Sequence, residues 1–198
     1  MLQPSIDSRR LLGGALCLDF ANSVDWERDG TERPPSADVL AEPADLARWG
    51  RRLGLLEPAD TPAVDERELA RARALRRAVH DVFAAAASGA TAGDEAIAAI
   101  ERMFAESVAA GRLGAHGGWD FEWERDDPRR IRYAVAVSAV DLLRDPAKLA
   151  RVRICPGNNC GWLFLDTSGR RRWCSMDVCG SRAKMRRLYE RRRSTRQS

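Results

Sequence analysis

Cys155-Pro156-Gly157-Asn158-Asn159-Cys160 and Cys174-Ser175-Met176-Asp177-Val178-Cys179 are the stretches that decide how this chain is read. Thirteen residues separate the two Cys-x4-Cys pairs, enough for a hairpin, and an arginine-rich tail follows. Four thiols in two close pairs match the donor set of a tetrahedral zinc site. With every ligand a cysteine, no coordination position stays open. The expected cofactor is therefore one structural Zn2+ held by Cys155, Cys160, Cys174 and Cys179, and two disulfides are the competing reading. A module of about forty residues buries too little apolar surface to fold alone, so a metal staple answers a need.

Working outward, Gly161-Trp162-Leu163-Phe164-Leu165 reads as a strand, Asp166 to Gly169 as a turn, and Arg170 to Trp173 as the returning arm. Ser175 or Asp177 can cap a helix that runs to about Arg193 and places Cys179 in its first turn. Knuckle, hairpin and helix make a treble-clef-like finger. Val178, Met185 and Tyr189 share one helix face and are expected to pack on the hairpin, as are Trp162 and Trp173 beside the metal. Arg182 and Arg186 flank the helix stripe, Lys184, Arg187 and Arg191 lie opposite, and Arg170, Arg171 and Arg172 occupy the hairpin tip and return. Arginine forks suit phosphate oxygens, which makes these residues the candidate nucleic-acid contacts.

Charge supports that reading. The 198-residue chain carries a net +4. Residues 151–198 hold thirteen Lys and Arg against three acidic residues, net +10, which leaves twenty basic against twenty-six acidic residues, net −6, in residues 1–150. A basic end behind an acidic body is expected of a polyanion-binding module. No apolar run approaches ~18 residues, so no membrane span is expected. Met1 to Arg10 lacks the apolar core of a signal peptide, so a cytoplasmic, reducing setting is expected, where paired cysteines hold metal more often than they form disulfides. Cys17 lies far from the pairs and reads as a small buried hydrophobe.

Residues 1–150 read as a mostly helical domain, giving a mainly α chain with a small β component. Residues 11–26 fit a helix face (Leu16, Phe20, Val24) and a strand (Leu16, Leu18, Phe20) equally well. Pro43 opens a short helix with Leu46, Trp49 and Leu53 inward and Gly54 as its stop. Thr61-Pro62 signals a longer helix with Leu75, Val79, Val82, Phe83 and Ala86 buried, and His80 beside that stripe reads as a partly buried or surface residue. Asp94 or Thr91 caps the next helix, with Ile97, Ile100, Phe104 and Val108 inward, and His116 lies in a loop. Trp119, Phe121 and Trp123 alternate with acidic residues as a half-buried strand arm. Ile131 to Leu143 is the most apolar helix, expected at the centre of the core. The joint near residue 150 is short, so the two parts can pack together.

The strings Trp162-Leu-Phe-Leu-Asp-Thr-Ser168 and Arg171-Arg-Trp-Cys-Ser-Met-Asp-Val-Cys-Gly-Ser-Arg-Ala-Lys184 resemble the CGNR zinc-finger family. Leu16-Cys-Leu-Asp-Phe-Ala-Asn-Ser-Val-Asp25, with Asp45-Leu46, Trp49 and Gly54-Leu-Leu56, looks like the ABATE domain, which precedes this finger in bacterial stress-induced transcription regulators. The resemblance implies four cysteine ligands for zinc and a DNA-binding role. The family's Cys-Gly-Asn-Arg is here Cys179-Gly180-Ser181-Arg182, and serine lacks the paired donor and acceptor of the amide.

The function expected is a transcription regulator that binds DNA through residues 151–198, with a small ligand or protein partner at the N-terminal domain. RNA binding, or a protein-docking and homodimerising finger, are the alternatives. No nucleophile–base pair, phosphate loop or open metal site is visible, so an enzyme is not expected. Asp19 and Asn22, polar in an apolar stretch, are the candidate lining of a ligand pocket.

Overall fold

Several helices in this chain begin at an acidic capping side chain or a proline, and the capping geometry shows which candidate won. The computed structural model describes residues 5–34, 38–114 and 120–195. His116 and Trp119 lie outside these residues. The stretch that fitted both periodicities is helix α1 (Leu16–Ala21), and Cys17, Leu18, Phe20 and Ala21 are all buried. A helix covered on nearly all sides has no polar face, so its sequence carries no 3.6-residue signature.

Helix α2 (Pro43–Arg52) has Pro43 in its first turn. A reciprocal capping box forms between the Glu42 and Asp45 side chains and each other's backbone, which satisfies orphan amides. Gly54 follows at φ +71°, the left-handed stop its position suggested. Helix α3 (Glu66–Ser88) starts four residues later than Thr61-Pro62 implied. Asp65 supplies the cap, its carboxylate accepting from Glu68 N at 2.7 Å, while Thr61 N donates to Asp126 instead. Ala86, assigned to its stripe, is exposed.

Helix α4 (Asp94–Ala110) follows Gly93, so neither Thr91 nor Asp94 caps it. Its inward face is Ile100, Met103 and Ser107, and Ile97 and Val108, expected inside, are 39% and 42% exposed. Strands β1 (Arg112–Gly114) and β2 (Asp120–Glu122) form an antiparallel hairpin. Helix α5 (Arg130–Leu143) runs through the middle of the bundle, packed on α1, α2, α3 and α4. Asp145 caps the short α6 (Pro146–Leu149) by accepting from Lys148 N at 3.0 Å. Two buried ion pairs cross this bundle. Arg132 binds Glu68 through two nitrogens, at 2.5 and 2.8 Å, and Arg76 binds Asp38 at 2.7 and 2.8 Å.

The cysteine module begins with β3 (Val152–Ile154) and β4 (Leu163–Leu165), paired antiparallel with Val152 opposite Leu165. This corrects the expected hairpin: β4 pairs backwards across the first cysteine knuckle, not forwards with Arg170–Trp173. The physical reason is apolar burial. Val152, Leu163 and Leu165 join the helical core with Leu18, Phe83 and Leu142, whereas Phe164, pointing the other way, packs with Cys155, Cys174 and Cys179. Arg170 to Trp173 carries only Trp173 to offer a core. A π-helical turn (Met176–Gly180), capped by Ser175, leads into α7 (Ser181–Thr195).

Candidate metal centre and basic helix

The β3–β4 turn presents Cys155 and Cys160, the bend before the π-helical turn presents Cys174, and that turn itself presents Cys179. All four sulfurs lie within 4.8 Å of one another. A tetrahedron with Zn–S bonds of about 2.3 Å has edges of about 3.8 Å. Cys160 Sγ and Cys174 Sγ are 3.8 Å apart, and Cys174 Sγ and Cys179 Sγ are 3.6 Å apart. A disulfide needs roughly 2.05 Å, and all five cysteines are free. The donor set therefore fits one zinc ion, as expected, and Cys17 stands apart as a buried thiol pushed up to about 12 by desolvation.

Electrostatics explains why this cluster needs a cation. Hydrogen bonds from the Cys160 and Cys174 thiols pull Cys155 down to about 2. Sharing a proton with Cys155 then pushes Cys160 up to about 12 and raises Cys174, while burial raises Cys179. Only one thiolate is comfortable among four crowded sulfurs. A dication removes that conflict by drawing out the remaining protons. Close packing leaves little slack: a Cβ on Gly157 would sit 2.9 Å from Cys179 Sγ, so the knuckle requires glycine.

The module is bolted to the body by polar contacts. Asn22 is 1% exposed; its Nδ2 donates to Leu163 O at 2.8 Å and its Oδ1 accepts from Leu163 N at 3.0 Å, extending β4 by a side chain that imitates a strand. Arg9 pairs with Asp25 at 2.9 Å and stacks over Trp162 at 4.4 Å, while Trp162 Nε1 donates to the same carboxylate at 3.0 Å. His80, fully buried rather than partly so, holds Gly161 O at 3.0 Å through Nε2, which must carry the hydrogen because a carbonyl only accepts. Its ring stacks on Trp26 at 3.7 Å. A Cβ at Gly161 would meet Glu27 O at 2.3 Å, so the close backbone approach at this point requires glycine.

The two side chains expected to line a ligand pocket are both engaged by backbone groups. Asn22 is taken up entirely by β4, and Asp19 accepts from Gly13 N at 2.7 Å, its carboxyl raised by burial against that bond. The reason is local: a polar side chain in a buried helix must satisfy backbone groups nearby.

The basic residues divide in the same way. Arg171 is drawn into the fold, donating to Leu12 O at 2.7 Å and Cys174 O at 2.6 Å and covering the Phe164 ring at 4.5 Å. Arg170, Arg172, Arg182, Lys184, Arg186, Arg187 and Arg191 are exposed. Val178, Met185 and Tyr189, expected on the hairpin, are 40%, 64% and 70% exposed, because α7 leans on the π-helical turn and leaves the strands to the body. Ser181, in the family's asparagine position, donates from its hydroxyl to Met176 O at 3.2 Å and so closes the turn that carries Cys179. Sequence reasoning missed Arg9, Asp25 and His80. Only the apolar–polar–apolar alternation of Val152-Arg153-Ile154 could have revealed the true partner of β4.

A four-cysteine zinc finger fused through its strands to a helical body is thus the class of protein defined here. Two family models match in that order: ABATE, described as "Putative stress-induced transcription regulator", over residues 14–146, and the CGNR zinc finger over residues 151–192. The chain belongs to the ABATE family and carries a CGNR zinc finger behind that domain. A comparison with curated proteins found no match.

Proposed function

We propose that the protein is a non-enzymatic transcription regulator of the cytoplasm that grips duplex DNA with α7. The observation that supports this is the division among the arginines. Those that fold the chain, Arg9, Arg76, Arg132 and Arg171, are buried or stacked, while Arg182, Lys184, Arg186 and Arg187 project from a helix that the body leaves uncovered. A helix with cations on several sides can meet phosphates of both strands flanking a groove. The four-thiolate set keeps zinc saturated, which favours a scaffolding metal over a catalytic one.

Duplex is favoured over single-stranded RNA because Trp162 is not free to stack on bases. Its ring lies under Arg9 and its Nε1 is engaged by Asp25. Trp173 is half-buried. No helix among the described residues is long and apolar enough to cross a membrane.

The test is a mobility-shift titration of the zinc-loaded full-length protein on random duplex DNA at several salt concentrations. Affinity should fall steeply with salt, roughly in proportion to the number of phosphates neutralised. No binding at low salt would sink the reading, and a complex with a protein partner that ignores salt would replace it.

A further inference from the structure

We propose that the groove between residues 10–14 and α7 is a binding site for a small amphipathic anion, a single carboxylate on an apolar chain. The groove encloses about 940 Å³, within the range of small-molecule sites. Leu11, Leu12, Trp173, Met176, Ala183 and Leu188 line it. Among the described residues, every charged side chain lining it is basic, including Arg10, Arg172, Lys184 and Arg187, and a carboxylate nearby, Asp177, pairs with Arg10 at 3.2 Å.

Both properties are unusual for this chain. Leu11, Met176, Met185 and Leu188 are 38%, 63%, 64% and 42% exposed, so much of the exposed large apolar surface gathers at this one groove. Clustered exposed apolar side chains mark a surface that binds something. DNA alone does not account for them, since phosphate contact needs cations and no apolar floor. A second groove in the body, about 1030 Å³, supplies the contrast. It is bordered by Glu57 and Asp141 as well as Arg130 and Lys148, and so selects no charge. The α7 groove selects both: an apolar body against Trp173 and Leu188, and a negative head toward the Lys184 and Arg187 rim.

Position gives the site a consequence. Lys184 and Arg187 belong to the same helix that we read as the DNA-binding surface, so an anion seated there competes for those cations. This consequence rests on the DNA reading. Occupancy of the groove does not.

The experiment is isothermal calorimetry on the zinc-loaded full-length protein, without DNA, using hexanoate, octanoate and decanoate below their micelle-forming concentrations and octanol as the uncharged arm. Burial of a methylene is worth about fourfold in affinity when complete, so each added carbon should tighten binding about two- to fourfold. Octanol should bind at least tenfold more weakly than octanoate. Leu188→Glu should weaken octanoate at least tenfold with unchanged zinc content and circular dichroism, and Lys184→Glu should narrow the gap between octanoate and octanol. Affinity independent of chain length, equal binding of octanol, or wild-type binding by the Leu188→Glu protein would overturn the proposal. Because DNA is absent from this measurement, its failure stays separate from failure of the DNA reading.

Discussion

On one side of the cysteine cluster, β3 and β4 are sunk into the helical core, with Val152 and Leu163 wholly inaccessible to solvent. On the other, α7 leaves Met185 and Tyr189 64% and 70% exposed. Two halves of one small module are thus held by different forces. The strand half is tied down by apolar burial, by Asn22 along its edge and by Arg9 stacked on Trp162. The helix half is tied by the metal cluster, by Arg10 reaching Ser175 and Asp177, and by Arg171 gripping the carbonyl of Cys174. Zinc held by the four thiolates would therefore act differently on each side, closing a turn that the strands have already half formed and tying down the turn that leads into α7.

The largest effect should come from removing the metal. Structural zinc contributes apparent folding free energies of about 10–16 kcal/mol in isolated finger peptides. Chelation, or Cys179→Ser, should strip hydrogen-exchange protection from residues 174–195 while the amides of β3 and β4 stay protected. Loss of protection in both halves at once would break the distinction drawn here.

Next is Glu68→Ala, which strands the buried guanidinium of Arg132. Breaking a buried pair from one side costs about 3–5 kcal/mol. Denaturant unfolding should show a loss of that size, with zinc affinity, read by competition with a chromogenic chelator, close to wild type.

Asn22→Ala probes the seam itself. It leaves the N–H and C=O of Leu163 without partners inside the core, at about 1–3 kcal/mol for each unsatisfied group. Unlike Glu68→Ala, it should also weaken zinc binding, because the strand that ends in the knuckle loses its brace. A variant with reduced stability and unaltered zinc affinity would show that the seam and the metal are not coupled.

The smallest effect on stability should come from Arg186→Ala. An exposed helix residue away from packing changes stability by less than about 0.5 kcal/mol. DNA affinity should nevertheless fall uniformly across sequences, and the salt slope should drop by about one. Arg171→Ala is its counterpart: it should cost stability first, because its fork holds Leu12 and Cys174.

Much of this was legible beforehand. The four cysteines announced themselves by spacing, since ligands to one ion must return to one point and a short knuckle is the shortest way back. Pro43, Gly54 and Asp145-Pro146 marked their boundaries because proline geometry and left-handed glycine act locally. The failures share a cause as well. Ile97 and Val108 fell on the wrong side of α4, and the Val178–Met185–Tyr189 stripe found no partner, because a periodic apolar face says that a surface is available and not what will cover it. Asn22 stood out as a polar residue in an apolar stretch, but its partner could not be read there, because the contact that uses its side chain is 141 residues away.

What the sequence determined by itself, then, is what depends on residue type and short spacing: the metal and its ligands, most helix starts and stops, and the basic character of the C-terminal end. Tertiary structure alone decided which strand β4 would join, that Arg171 would be drawn into the fold while Arg186 stays at the surface, and that α7 would leave Met185 and Tyr189 exposed. Those outcomes compare the burial of Val152, Leu163 and Leu165 against a distant core with the weaker attraction of an arginine-rich arm. Such a comparison becomes available only once the helices that form that core are in place.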